Sequence, residues 1–131
     1  MLYYSSFLFG LVGVISHATW MGPAFTLLMG VSILNHARYY EPTFSEREIV
    51  SVFDRLLAHT IAARTISDAI STKWTPKTAP YLAFYYACLA WDISIYHIAR
   101  RLLKEGYSNT IHLTVHVATS AGVIALHYAR S

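Results

Sequence analysis

Residues 109–118 read Asn-Thr-Ile-His-Leu-Thr-Val-His-Val-Ala, and they begin an apolar segment that continues almost to the C-terminus. His112 and His116 are four residues apart, so a helix would place both imidazoles on one face, one turn apart. Two imidazoles at that spacing can bind one metal ion. Because polar side chains are costly inside a bilayer, the stretch predicts a membrane helix whose histidines face the interior of a helical bundle.

The composition of the whole chain is typical of a membrane protein. Hydrophobic residues make up 55% of the 131 residues and charged residues 13%, whereas a soluble domain has roughly 25% charged residues. The length predicts one domain, 1–131. The net charge of +3, without a run of Lys and Arg, argues against nucleic acid as a partner. The one cysteine, Cys88, excludes an internal disulfide and is expected to be a small core residue.

The apolar pattern and its interruptions predict an all-α integral membrane bundle of about five transmembrane helices. Residues 2–20 are uncharged and long enough to cross the hydrocarbon core, and Gly22-Pro23 separates them from a second helix. Charged side chains such as Asp54 and Asp68 interrupt the third helix, so we expect it to be buried in the bundle rather than to lie at the interface. The predicted helices are 2–20, 23–40, 46–70, 79–103 and 109–129.

Five polar residues converge if each predicted helix crosses the membrane once. The end of the second helix, the start of the third and the start of the fifth then lie at one side of the bundle. We therefore expect a similar depth for the polar residues of these segments: Ser32, His36, Asp54, His112 and His116. This convergence requires that the third helix crosses the membrane.

The converging residue types are those of a hydrolytic metal centre. Three neutral imidazoles and a water form a tetrahedral zinc site with one open position, at which a lipid carbonyl could be polarised. Asp54 could accept a proton from the water or orient a histidine. Ser32 lies four residues before His36, hence on the same helical face, and its hydroxyl could donate to a developing oxyanion.

The order of these motifs resembles the CREST superfamily of membrane hydrolases, which includes alkaline ceramidases, progestin and adiponectin receptors and hemolysin III proteins. The motifs are Ser-x3-His at the end of one helix, an Asp early in the next and His-x3-His in the last. The resemblance implies zinc bound by His36, His112 and His116, with Asp54 as acid or base, Ser32 as polar partner, and hydrolysis of a lipid amide or ester. The superfamily has seven spans, so it also implies a shortened member whose lipid pocket is incomplete or completed by a partner chain.

Two other functions are compatible with the sequence. A b-type haem needs two axial histidines from separate helices, and His36 or His59 with His112 or His116 would supply them. A small structural subunit of a membrane complex would use the charges of the third helix to bind a partner protein. Three histidines at one level favour zinc over haem, because haem leaves one histidine unused. Since five helices form a thin bundle, we also expect a homo-oligomer or a partner membrane subunit.

Each candidate residue also has a structural explanation. His112 and His116 could be hydrogen-bonded histidines of the bundle, and His36 an interfacial group. Asp54 could form an ion pair, and Ser32 could be a helix-packing residue.

Asp92 is a further charged residue, in the middle of the fourth predicted helix. An unpaired carboxylate would be costly there. We expect Asp92 to pair with His59 or Arg64 and lock the bundle, or else to belong to a second functional site.

Overall fold

A computed structural model describes residues 2–36, 44–102 and 109–131. These residues are all-α, as predicted, and no strand occurs among them. Their contacts divide the chain into two compact units, Met1–Ile66 and Ser67–Ser131, which we call the first and second units. The single domain over 1–131 stays a prediction.

The helices follow the predicted order closely at their starting points. In chain order they are α1 (Leu2–Ser5), α2 (Phe7–Ile15), α3 (Met21–His36), α4 (Phe44–Ser71), α5 (Ala79–Asp92), a π-helical segment (Ile93–Ala99), α6 (Arg100–Leu102) and α7 (Asn109–Arg130). The predicted starts of the last two long helices, at 79 and 109, match those of α5 and α7. The predicted end of the second helix at 40 lies outside the described residues.

The first unit contains a hairpin of α2 and α3 around an apolar core. Phe9 and Val12 of α2 and Phe25 and Leu28 of α3 are buried. The rings of Phe9 and Phe25 pack at a tilt, with 6.2 Å between their centroids. Burial of side chains of this size is worth about 1.5–3 kcal/mol each, so these four residues account for much of the hairpin's stability.

The first helix ends five residues earlier than the predicted 2–20, because hydroxyl side chains redirect the backbone. The Ser16 hydroxyl and backbone N–H both donate to the carbonyl of Val12, and the Thr19 hydroxyl donates to the carbonyl of Ser16. Such local bonds compete with the helical ladder. The turn then brings position 22 so close to His17 that an added Cβ would lie 2.7 Å from the His17 Cα. Gly22 is therefore required for this turn.

The second unit is built on the packing of α5 against α7. Leu82 and Tyr85 of α5 and Val123 and Leu126 of α7 are buried in it. α5 begins after Thr78 with proline in its first turn, where the missing backbone N–H costs nothing. Gly122 of α7 lies close to Cys88 of α5, which is half-buried.

The end of α7 is bound to the end of α4 by an arginine. Arg130 Nη1 donates to the Asp68 carbonyl at 2.7 Å, to Thr72 Oγ1 at 3.0 Å and to Ser71 Oγ at 3.1 Å. A cation at the C-terminus of a helix also interacts favourably with the helix dipole. Arg130 therefore fixes where α7 and the loop after α4 meet.

One described helix is long and apolar enough to cross a membrane. It is α7, over Thr110–Arg130, a stretch of 21 residues. This matches the fifth predicted span. α2, α3 and α5 are each shorter than the roughly 20 residues that a straight span needs, and charged side chains interrupt α4.

Candidate metal centre

His36 and Asp54 form the polar part of the first unit. His36 is the last residue of α3, and Asp54 lies in α4; both are half-buried. The side-chain amide of Asn35 donates to Asp54 Oδ2 at 2.7 Å, which holds the carboxylate beside the end of α3. Asp54 is close enough to the His36 ring for their charges to interact. The predicted approach of these two residues is therefore present within the first unit.

Ser32 lies one turn before His36 and is fully buried, with 1% of its surface exposed. Its Oγ is 2.8 Å from the Ser6 Oγ, which is also buried. The two hydroxyls bond each other within the apolar interior of the first unit. The Ser6–Ser32 hydrogen bond supports the packing role that we considered for Ser32. Its role toward an oxyanion stays a prediction.

His112 and His116 form the polar part of the second unit. They lie on successive turns of α7, with ring centroids 5.0 Å apart and rings almost perpendicular, at 81°. The i, i+4 spacing therefore places both imidazoles on one face, as predicted. His116 is buried, with 5% of its surface exposed, and His112 is half-buried. A buried imidazole in an apolar helix has few roles other than a hydrogen bond or a metal ligand.

Tyr96 of the π-helical segment contacts one member of this pair, His112. Its ring meets His112 edge to face, with 6.0 Å between centroids, and His97 at 5.1 Å. π-helical turns occur frequently at functional sites because they change which side chains face a neighbouring helix. Tyr96 therefore restricts the orientation of the His112 ring.

Trp91 fixes the height of the histidine pair along α5. Its indole Nε1 donates to Thr114 Oγ1 at 3.0 Å, and Thr114 lies midway between the two histidines. The Thr114 hydroxyl in turn donates to the carbonyl of Ile111. This bond sets the register of α7 against α5 where the histidines lie.

Asp92 has a hydrogen-bond partner within the second unit. Thr119 Oγ1 donates to Asp92 Oδ2 at 2.8 Å, within the second unit, and the buried Oδ1 has no hydrogen-bond partner among the described residues. Within the first unit, His59 Nδ1 lies 2.6 Å from a backbone carbonyl one turn earlier in α4, and the Arg64 guanidinium lies over an indole ring at 5.3 Å. The pairing of Asp92 with His59 or Arg64 stays a prediction.

Sequence reasoning missed three residues that contact the candidate site residues: Ser6, Asn35 and Tyr96. Ser6 had one signal, a serine inside an apolar segment, whereas the position of Tyr96 depends on a π-helical segment that ordinary helical periodicity does not indicate. Comparisons of this chain with protein-family models, with curated proteins and with solved structures found no match, so the resemblance to the CREST superfamily rests on the motifs quoted above.

Proposed function

We propose that this chain is a multi-pass membrane protein that hydrolyses a lipid amide or ester, with His36, His112 and His116 as ligands of one zinc ion. The observation that carries the proposal is the histidine pair of α7, whose rings lie on successive turns with 5.0 Å between their centroids. The order of the sequence motifs adds His36 as the third ligand. Three nitrogen donors without a thiolate fit zinc with one position open to substrate. Zinc, when bound, acts as a Lewis acid that polarises a carbonyl group and activates water.

The histidine pair of α7 would supply two of the three ligands. His116 is buried and His112 is restricted by Tyr96, so little rotational freedom is lost when the rings bind an ion. A site whose side chains are already oriented binds more tightly than one that must be ordered on binding.

Asp54 is the group that would move a proton. Its Oδ2 accepts a bond from the Asn35 amide, so Oδ1 is the oxygen that would exchange a proton with water or with the leaving group. The amide also fixes the carboxylate beside His36, within the first unit. Asn35 is thus a positioning residue in this proposal.

The exposed apolar side chains support a membrane location beyond α7. On α2, Phe7, Leu11 and Val14 are exposed and recur at helical spacing along one face. On α3, Leu27 and Leu34 are exposed in the same way. Stripes of this kind are costly in water and favourable against lipid tails.

Metal content of the detergent-purified protein tests the ligand set. We expect about one zinc per chain, lost in His116→Ala and kept in His127→Ala. His127 is a matched control because it lies eleven residues, or about three turns, further along the same face of α7. Zinc retained in His116→Ala contradicts the ligand set, and a Soret absorption band in place of zinc would assign haem instead.

Turnover of fluorescent lipid amides and esters tests the role of Asp54. We expect Asp54→Asn to keep the zinc and to lose at least about 100-fold in turnover, the usual contribution of a general acid or base. Asn35→Ala should reduce turnover less, because it frees the carboxylate without removing it. Unchanged turnover in Asp54→Asn would refute the role, and loss of zinc would make Asp54 a metal ligand.

A further inference from the structure

Hydrogen bonds hold the loop after α4 beside the end of α7, the candidate membrane span. Thr78 Oγ1 donates to the Lys73 carbonyl at 2.6 Å and accepts a hydrogen bond from the backbone N–H of Thr75 at 2.9 Å. These bonds connect the end of the loop to its beginning. Arg130, the last residue of α7, bonds to Ser71 at the end of α4 and to Thr72, the first residue of the loop. The loop therefore lies at the level where the apolar length of α7 ends.

Aromatic rings surround this end of the second unit and remain largely exposed. Trp74 stacks on Tyr86, with 6.0 Å between centroids and 8° between ring planes, yet 58% of Trp74 is exposed. Tyr81 and Tyr128 form a second pair at 6.2 Å, and both are exposed. Exposed Trp and Tyr at the end of an apolar helix are typical of the boundary between lipid and water.

The same end carries positive charge without accessible acidic side chains. Lys73 and Lys77 are exposed on either side of Trp74 and Pro76. The one acidic side chain in the described stretches 67–81 and 124–131 is Asp68, which is buried and lies 3.9 Å from the Arg130 guanidinium. The surface is therefore complementary to anions.

We propose that the loop 72–78 and the end of α7 bind the headgroups of anionic phospholipids, with Lys73 and Lys77 on the phosphates and Trp74 at the depth of the ester groups. This inference rests on the membrane location proposed above. An exposed lysine near an anionic bilayer surface favours anionic lipid by roughly fivefold. The loop's hydrogen bonds keep both lysines in place, so little order has to be gained when lipid binds.

Quenching of Trp74 fluorescence by brominated lipids tests this binding. The full chain carrying Trp20→Phe and Trp91→Phe, with Trp74 as its one tryptophan, is reconstituted in phosphatidylcholine vesicles with a minor share of phosphatidylglycerol. One lipid or the other carries bromine near its headgroup. We expect brominated phosphatidylglycerol to quench Trp74 several-fold more strongly per molecule than brominated phosphatidylcholine, and added salt to reduce the difference.

Removal of the two lysine charges tests whether they cause the preference for phosphatidylglycerol. Lys73→Gln with Lys77→Gln should abolish the preference while phosphatidylcholine still quenches, and Arg55→Gln, which removes an exposed cation from α4, should leave it intact. Equal quenching in the wild-type loop, or a preference that survives the double substitution, overturns the proposal.

A variant that keeps only Trp91 tests the membrane location separately. Lipids brominated deep in their acyl chains should quench Trp91 fluorescence in this variant. If Trp91 is quenched but Trp74 shows no preference for phosphatidylglycerol, headgroup binding is refuted and the membrane location stands. If Trp91 is not quenched, the membrane location is refuted as well.

Discussion

Gly122 of α7 lies close to Cys88 of α5, so an added methyl group there tests the packing of the second unit. A Cβ at position 122 would lie 2.8 Å from the Cys88 Cβ, 3.5 Å from its Sγ and 3.7 Å from the carbonyl oxygen of Tyr85. Carbon atoms pack at about 3.5–4.0 Å, so the new methyl requires a separation of about 0.7 Å or more. A change of rotamer cannot provide it, because a Cβ does not move with χ1.

The expected loss of stability combines two opposing contributions. Overpacking of this kind costs about 1–3 kcal/mol. Replacing a helical glycine by alanine returns up to about 1 kcal/mol through helix propensity. We therefore expect Gly122→Ala to lower the free energy of unfolding by up to about 2 kcal/mol, measured by far-UV circular dichroism during titration of mixed micelles with a denaturing detergent.

Two comparisons make this measurement specific for the contact. Gly30 on α3 is exposed and has no atom within 4 Å of an added Cβ, so Gly30→Ala should instead stabilise by about 0.5–1 kcal/mol. Cys88→Ala keeps the obstructing Cβ and should not rescue Gly122→Ala, whereas Cys88→Gly should rescue it in a double-mutant cycle. Equal stability of the two Gly→Ala variants, or equal rescue by Cys88→Ala and Cys88→Gly, would refute the packing argument.

Two further predictions concern hydrogen bonds of the second unit. Arg130→Met removes the donor at the end of α4. Because 39% of the Arg130 side chain is exposed, solvent screening limits the expected loss of stability to about 1 kcal/mol. Amide exchange at residues 68–72 should become faster, and unchanged exchange would contradict the role of Arg130 in holding this segment. Thr119→Val removes the donor to the buried Asp92 carboxyl and should lower the free energy of unfolding by about 1–3 kcal/mol in the same detergent titration. Thr119→Ser keeps the hydroxyl and should lower it by less than half as much. Equal losses would mean that packing, not the hydrogen bond, stabilises this contact.

The helices that sequence predicted well are those whose ends carry strong local signals. The boundary of α5 follows from a proline in its first turn, and α7 follows from an apolar run after a short polar stretch. The shared face of His112 and His116 follows from helical geometry alone. These features depend on residues close in sequence, which is why composition and spacing were sufficient.

Features that depend on contacts between helices were not predictable in the same way. The early end of α2 results from hydroxyls that bond their own backbone, and the same serine and threonine types are also common inside membrane helices. The π-helical segment over Ile93–Ala99 has no composition signal, so the position of Tyr96 could not be inferred. The bond from Thr119 to Asp92 could not be inferred, because span counting gives depth but not rotation about the helix axis.

The hydrogen bonds between α5 and α7 explain how an apolar interface can hold the histidine pair at a defined height. Apolar side chains alone tolerate sliding, and a slip by one helical turn would move His112 by about 5.4 Å, more than twice a metal–nitrogen distance of about 2 Å. Trp91 bonds Thr114 and Asp92 bonds Thr119, so two adjacent residues of α5 bind α7 at points more than one turn apart. A slip would break both bonds and leave the Asp92 carboxyl buried without a donor. The polar contacts therefore specify the register, and the apolar contacts supply most of the stability.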